Sequence, residues 1–207
     1  MTEIHMSKGD GRRSQEERRA ETRARLVDAT IKLLNEKGAT QLTMEEVARE
    51  AGLTRGAIQY HFENPKALLV ESIFEIADRL SHHLDAEVLS RLPLEERIDR
   101  IVDNYWQGFG GANYTAFIEI AMRGRQDAEF ESAITSALTE VDKKRAIVWQ
   151  AVFADSGRNR EEIQSWRRML MITLRGLALT KMISGEREKV SLHIGQFKDM
   201  LKRYLTE

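Results

Sequence analysis

Residues 43–66, TMEEVAREAGLTRGAIQYHFENPK, decide the fold. Thr43 stands where it can cap a helix, and Glu46 three residues later completes a capping box. Met44, Val47, Ala48 and Ala51 then recur with the spacing of one amphipathic helical face. Gly52 stops that helix, because glycine takes the left-handed C-terminal conformation at little cost. Leu53 is apolar inside the turn and is expected to plug the junction. Thr54 caps a second helix in which Ala57, Ile58 and Phe62 face inward, while Arg55, Gln59, Tyr60 and His61 are polar or amphipathic. Ala48 is small where the two helices must cross closely, and Ile58 is large where a core anchor is needed. The pair predicts a helix-turn-helix whose second helix is shaped for the DNA major groove. Two helices around a glycine also occur in helical proteins that bind no DNA, so the flanks must decide.

Downstream, Tyr60-His61-Phe62 is followed by Asn64-Pro65-Lys66-Ala67-Leu68-Leu69. This resembles the tetracycline-repressor (TetR) family of bacterial regulators, in which an aromatic element closes the recognition helix and a Lys-x-x-Leu element opens the next. The resemblance extends back through Thr22-Arg23-Ala24-Arg25-Leu26-Val27-Asp28-Ala29 and Gly38, covering residues 22–69. Glu63 is a mild departure, since the family often has a small residue or proline there. The resemblance implies a dimer formed through the last two long helices as a four-helix bundle, and a small-molecule inducer site whose residues it does not identify.

The rest of the chain suits that expectation. Its 207 residues allow one domain or two small ones, and 42% apolar with 31% charged residues fits a soluble globular protein. The absence of cysteine excludes disulfides and thiolate metal sites and is compatible with a reducing cytoplasm. No apolar signal region opens the sequence, and no run reaches the ~18 apolar residues of a membrane span. Only two prolines interrupt it, and no stretch alternates in the manner of a strand, so an all-α fold is expected. The net charge is −1, yet residues 8–25 hold seven basic residues (Lys8, Arg12, Arg13, Arg18, Arg19, Arg23, Arg25) against four acids. Such an arm beside a helix-turn-helix suits phosphate contact or minor-groove insertion, and a solvated tail would look the same.

In chain order, residues 1–13 are expected to form a disordered basic arm, 14–76 the helix-turn-helix domain and 77–207 a ligand-binding and dimerisation domain. Ser14 and Glu17 can cap a first helix running to Lys37, with Val27, Ile31 and Leu34 inward and Gly38 as its stop. A long helix opens at Pro65 behind an Asn64 cap and carries Leu69, Ile73, Ile76, Leu80 and Leu84 on its apolar face. It is expected to reach Leu89 or Leu92 and so to join the two parts. Further helices are expected over residues 93–109, 113–124, 127–154, 160–184 and 189–205, giving about nine in all.

For DNA, Thr54, Arg55, Gly56 and Gln59 lie toward the front of the recognition helix. Arg55 is matched to guanine and Gln59 to adenine, each through paired hydrogen bonds, and Gly56 permits close backbone approach. Tyr60, His61, Lys66 and Thr43 are the expected phosphate contacts, with helix-end packing as the other role for His61. Half-sites of a palindromic operator would then lie about 34–36 Å apart, one per subunit of a homodimer. For that dimer, Val190, Ile194, Phe197, Leu201 and Tyr204 recur at heptad spacing, and Trp166, Leu170 and Leu177 form a face of the preceding helix. Met169, Ile172, Gly176 and Leu179 form a second apolar face of the same helix, which therefore needs cover on two sides.

Trp106, Phe109, Phe117, Met122, Trp149, Phe153 and Met171, with Tyr114, Met169 and Met182 nearby, can either fill a core or line a cavity for an apolar ligand. Arg175 interrupts an apolar run and so needs an anionic partner, either a ligand or an acid of the fold such as Glu119. No nucleophile elbow, phosphate loop or His-Glu-x-x-His pair points to catalysis, and neither cofactor nor metal is expected. His82 and His83 are adjacent, so they point about 100° apart on a helix and chelate poorly. A helical binding module without DNA recognition is the competing class, against which the basic arm, Arg55 and Gln59 weigh.

Overall fold

A computed structural model of the chain describes residues 14–81, 84–185 and 187–206. The expected basic arm over residues 1–13, including Lys8, Arg12 and Arg13, and the pair His82 and His83 lie outside the described residues. Among the described residues the fold is entirely helical: α1 (Gln15–Lys37), a 3-10 turn (Ala39–Gln41), α2 (Met44–Glu50), α3 (Arg55–His61), α4 (Pro65–Ser81), α5 (Ala86–Ser90), α6 (Leu94–Phe109), α7 (Ala112–Gly124), α8 (Ala128–Val152), α9 (Arg160–Ser184) and α10 (Arg187–Thr206). No helix among these residues is long and apolar enough to cross a membrane.

Local chemistry sets these boundaries. Ser14 and Glu17 form the reciprocal capping box that starts α1, and Gly38, at φ 74°, ends it. Thr43 caps α2 through a 3.2 Å bond from the Glu46 amide. The Glu46 carboxylate does not reach back to the Thr43 amide; it accepts from the Thr43 hydroxyl at 3.0 Å and pairs with Lys37 at 2.6 Å. At the other end of α2, Gly52 sits at φ 64°, its amide bonds Arg49 O at 3.0 Å and the Leu53 amide bonds Ala48 O at 2.8 Å. That pair of bonds is the Schellman arrangement, and it fixes the angle at which α3 departs. Val47, Ala48 and Ile58 are buried where α2 meets α3.

Pro65 opens α4 behind Asn64, whose side chain accepts from the Ala67 amide at 2.9 Å. Leu68, Leu69, Ile73, Ile76 and Leu80 are buried along it, and it packs on α1 as well as on α6, α7 and α8. Among the described residues the helix spans Pro65–Ser81, and Leu84 and Asp85 are not helical, so it does not reach Leu89 or Leu92. Asp85 restarts the chain as α5, its carboxylate accepting from the Glu87 and Val88 amides, so the described residues hold ten α-helices where about nine are expected. Gly108 marks the tightest crossing beneath α4: a Cβ there would stand 2.4 Å from Leu80 Cδ2 and 3.2 Å from Leu80 Cα.

The expected dimer seam turns inward. Leu170, Val190, Ile194, Phe197 and Leu201 are all buried within the single chain, where α10 covers α6 and α9. Two ion pairs, Lys198–Asp103 at 2.6 Å and Lys202–Asp99 at 2.7 Å, flank the α10–α6 contact. Trp166 packs on Tyr204 with the rings tilted and their centroids 4.1 Å apart, and Leu177 is half-buried against the same core. Heptad spacing identifies a face that needs cover, and a neighbouring helix of the same chain supplies that cover. The apolar residues left exposed on these two helices are Met169, Ile172, Leu179, Met182 and Ile183 on α9, and Leu192 and Met200 on α10.

Candidate nucleic-acid interface and cavity

The residues expected to meet DNA divide into two groups. Thr43, Thr54, Arg55, Gly56, Gln59 and Tyr60 are exposed at or near the front of α3. Thr54 starts α3 without a side-chain cap bond, so its hydroxyl stays available. A Cβ on Gly56 would meet only Thr54 Oγ1, at 3.8 Å, so this glycine is not demanded by packing. Tyr60 stands 71% exposed on the same surface.

His61 and Lys66 are engaged by the fold. His61 is half-buried with Nδ1 unpartnered, and burial, followed by the charges of Arg19 and Arg23, holds its pKa below the ordinary value. A neutral imidazole is a weak phosphate contact, so the packing role fits better. Lys66 bonds Asp127 at 2.6 Å and approaches Glu129 at 3.5 Å, which ties the start of α4 to the start of α8. The Asp127 bond is the chief cause of its raised pKa. Two residues of the basic segment are structural as well. Arg23 donates to His61 O at 2.7 Å, stacks over Phe62 at 4.4 Å and pairs with Glu71 at 3.3 Å. Arg25 donates to Ala51 O at 2.5 Å, satisfying a carbonyl at the end of α2.

Between α4, α7, α8 and α9 lies a cavity of about 340 Å³. Ile73, Ile76, Leu80, Phe109, Tyr114, Phe117 and Leu138 give it apolar walls, Thr135 and Thr139 edge it with hydroxyls, and Asp142, Arg145 and Arg175 line it as well. Of the eight expected pocket residues, Phe109, Phe117 and Arg175 are here. Trp149, Phe153 and Met171 are buried elsewhere in the core; Trp149 donates to Tyr105 Oη at 3.3 Å and packs on Phe153. Trp106 lies beneath the Lys181 ammonium at 5.6 Å, and Met122 is 54% exposed. Glu119 is not the partner of Arg175: it accepts the Ala39 amide at 2.7 Å, while Arg123 donates to Ala39 O at 3.3 Å. Together these two α7 side chains clamp the turn just before α2.

A second hollow, about 540 Å³, lies where α1 and α4 face α8 and shares Ala77, Val141 and Arg145 with the first. Its rim is strongly charged, and Arg23 and Glu71 there already pair with each other. Among the described residues no group of three or more His, Asp or Glu is placed to hold a metal ion.

Comparison with known proteins fits this geometry. Residues 26–72 match the family model described as bacterial regulatory proteins, tetR family. The transcriptional regulator CymR of Pseudomonas putida is 23% identical over 181 residues, spanning 86% of this chain and 88% of that protein. The transcriptional regulator TtgR, also of Pseudomonas putida, is 37% identical over 79 residues, which is 37% of either chain. Among solved structures, the transcriptional regulator FadR from Bacillus subtilis, in complex with stearoyl-CoA, superposes with a TM-score of 0.65 at 14% identity, covering 86% of this chain and 96% of that one.

Proposed function

Because this chain belongs to the tetR family of bacterial regulatory proteins and is a DNA-binding transcriptional regulator, we propose that it is a repressor whose homodimer leaves a palindromic operator when a small ligand fills the 340 Å³ cavity. The carrying observation is that the cavity is walled by the same two helices that hold the DNA-binding part. Ile73, Ile76, Ala77 and Leu80 of α4 line it, and α4 begins directly behind the recognition helix. Tyr114 and Phe117 of α7 line it too, and Glu119 and Arg123 of α7 clamp Ala39. A ligand that displaces either helix moves the reading head. It acts only if it binds the released and bound states unequally.

In this reading Arg55 and Gln59 contact base edges while Thr43, Thr54 and Tyr60 fix the register on phosphates. Lys66, held by Asp127, links the reading head to α8. Residues 14–76 act as the DNA-binding part and 77–207 as the ligand-binding and dimerisation part. Dimerisation uses the exposed stripe Met169, Ile172, Gly176, Leu179 and Ile183 of α9 with Leu192 and Met200 of α10. The α9 residues recur at spacings of three and four, and Gly176 has open space beside it, which suits close approach of a second helix. An apolar patch of this kind on a soluble chain marks an interaction surface. The stearoyl-CoA complex of the similar fold supports a small-molecule site in such a body. No part of the reading requires a reaction: the cavity binds and the surface reads.

Selection of bound sequences from a random DNA pool, at low and then moderate salt, tests the proposal. An enriched palindrome with half-sites about one helical turn apart is expected. Binding without any enriched sequence would overturn specific readout and leave only electrostatic attraction.

A further inference from the structure

Four arginines of the C-terminal part have guanidinium groups drawn into the protein, and they divide into two pairs of opposite character. Arg97 and Arg167 are almost wholly buried, and each meets a carboxylate through both terminal nitrogens. Arg97 reaches Asp155 at 2.6 and 3.0 Å, and Arg167 reaches Asp142 at 2.6 and 2.9 Å. That is how a fold retains a guanidinium it has removed from water.

Arg145 and Arg175 have no such partner, and both face the 340 Å³ cavity. Arg145 is 8% exposed; one terminal nitrogen donates to Ala77 O at 3.0 Å, and its Nε is buried and unbonded. Arg175 makes no hydrogen bond or ion pair among the described residues, and its Nε is also buried and unbonded. Its guanidinium instead stands 5.6 Å from the Phe109 ring and 6.0 Å from the Phe117 ring. The one acid in the wall, Asp142, has both oxygens committed to Arg167. Burial, together with the nearby charge of Arg175, depresses the Arg145 pKa, as expected of two cations sharing a space without an anion. The cavity thus holds positive charge that the fold leaves uncompensated beside aromatic and aliphatic walls.

We propose that the ligand of this cavity is a compact organic carboxylate, its head between Arg175 and Arg145 and its apolar body against Phe109, Phe117 and Leu138. A planar carboxylate presents two oxygens that match the guanidinium fork, and a charge-assisted pair of this kind is stronger than a neutral hydrogen bond. A neutral ligand would leave both cations unpaired, and a cationic one would be repelled. The volume lies near the lower end of ligand sites, about 300 Å³, which suits one ring or a short branched chain. The proposal rests on the reading of this cavity as the effector site.

Isothermal titration of the full chain with benzoate, phenylacetate and 3-phenylpropanoate, their amides and phenyl phosphate tests it. At least one acid is expected to bind about tenfold or more tighter than its amide, a gap that Arg175→Gln abolishes. Because Arg175 makes no hydrogen bond or ion pair among the described residues and has only ring contacts to lose, Arg175→Gln is expected to melt within a few degrees of the parent. Equal or tighter binding of the amides, preference for phenyl phosphate, failure of every acid to bind, or a sharply lowered melting temperature for Arg175→Gln would each overturn the proposal. Operator release, read by fluorescence anisotropy with the same compounds, separates the two readings. An acid that binds through Arg175 yet leaves DNA affinity unchanged sustains the ligand class and defeats the effector reading. Release by amides alone does the reverse.

Discussion

Replacing Gly56 by alanine separates what the fold needs from what DNA reading needs. Gly56 is the second residue of α3, and an added Cβ would have only Thr54 Oγ1 within 4 Å, at 3.8 Å, an ordinary contact. Glycine in a helix costs about 0.5–1 kcal/mol relative to alanine. At the second position of a seven-residue helix the lower value is appropriate, so the variant should be more stable by about 0.5 kcal/mol, or roughly 1–2 °C for a chain of this size. On DNA the sign reverses. A methyl group on this exposed front would hold α3 away from the groove and weaken the neighbouring Arg55 and Gln59 contacts, each worth about 1–3 kcal/mol. A loss of operator affinity of about tenfold or more is expected even if only one such contact fails. Thermal denaturation and titration of a labelled operator fragment give the two numbers. A destabilised variant would show that the space around Gly56 is not open. Unchanged DNA affinity would show that the backbone here does not approach the duplex closely.

Three further outcomes follow from the same geometry. Glu119→Ala removes a charged acceptor at 2.7 Å from the buried Ala39 amide, for a loss of about 1–2 kcal/mol after allowing for the half-exposed carboxylate, whereas Glu119→Gln keeps an acceptor and loses less; equal losses would refute the clamp. Ile172→Glu, at a position 66% exposed in the single chain, should alter monomer stability by no more than about 0.5 kcal/mol yet shift sedimentation from dimer to monomer, and a persisting dimer would move the interface elsewhere. The depressed His61 pKa means the unfolded chain binds the proton first, so His61 contributes stability that is complete above its unfolded value, near 6.5, and declines as pH falls through the folded value. His61→Gln should therefore flatten the melting-temperature profile as pH falls below about 6.5, and an unaltered slope would assign that dependence to other groups.

How far the sequence discloses these features depends on how local the cause is. The α2–α3 unit is legible because Thr43 and Gly52 act on the backbone within three or four residues of themselves. Ser14 with Glu17, and Asn64 before Pro65, are legible for the same reason. The end of α4 is not: the apolar period runs on to Leu84, and the Asp85 cap that restarts the chain as α5 is a single residue set against it. The α10 seam shows what periodicity omits. Spacing states that Val190, Ile194, Phe197 and Leu201 need cover, and the choice between α6 and a second subunit is made by tertiary packing. Lys66 and His61 read as phosphate contacts because the acid that claims Lys66 lies 61 positions away, and the charge of Arg23 reaches His61 only across the fold.

The arginines carry this point into function. Arg97, Arg145, Arg167 and Arg175 each interrupt an apolar helical stripe, so in sequence they look alike, and only Arg175 stands out, for the length of the run it breaks. The fold sorts them by giving Asp155 and Asp142 to two of them, from separations of 58 and 25 residues. What remains is a pair of cations on α8 and α9, of which Arg145 donates to Ala77 O of α4. An anion entering the cavity would draw on the same guanidinium, whose buried Nε is a donor the carbonyl does not use. Under the proposed function, Arg145 then joins the ligand carboxylate to α4, and a ligand that shifts Arg145 shifts the helix that aims α3. The DNA-bound population moves only by the difference in ligand affinity between the two states.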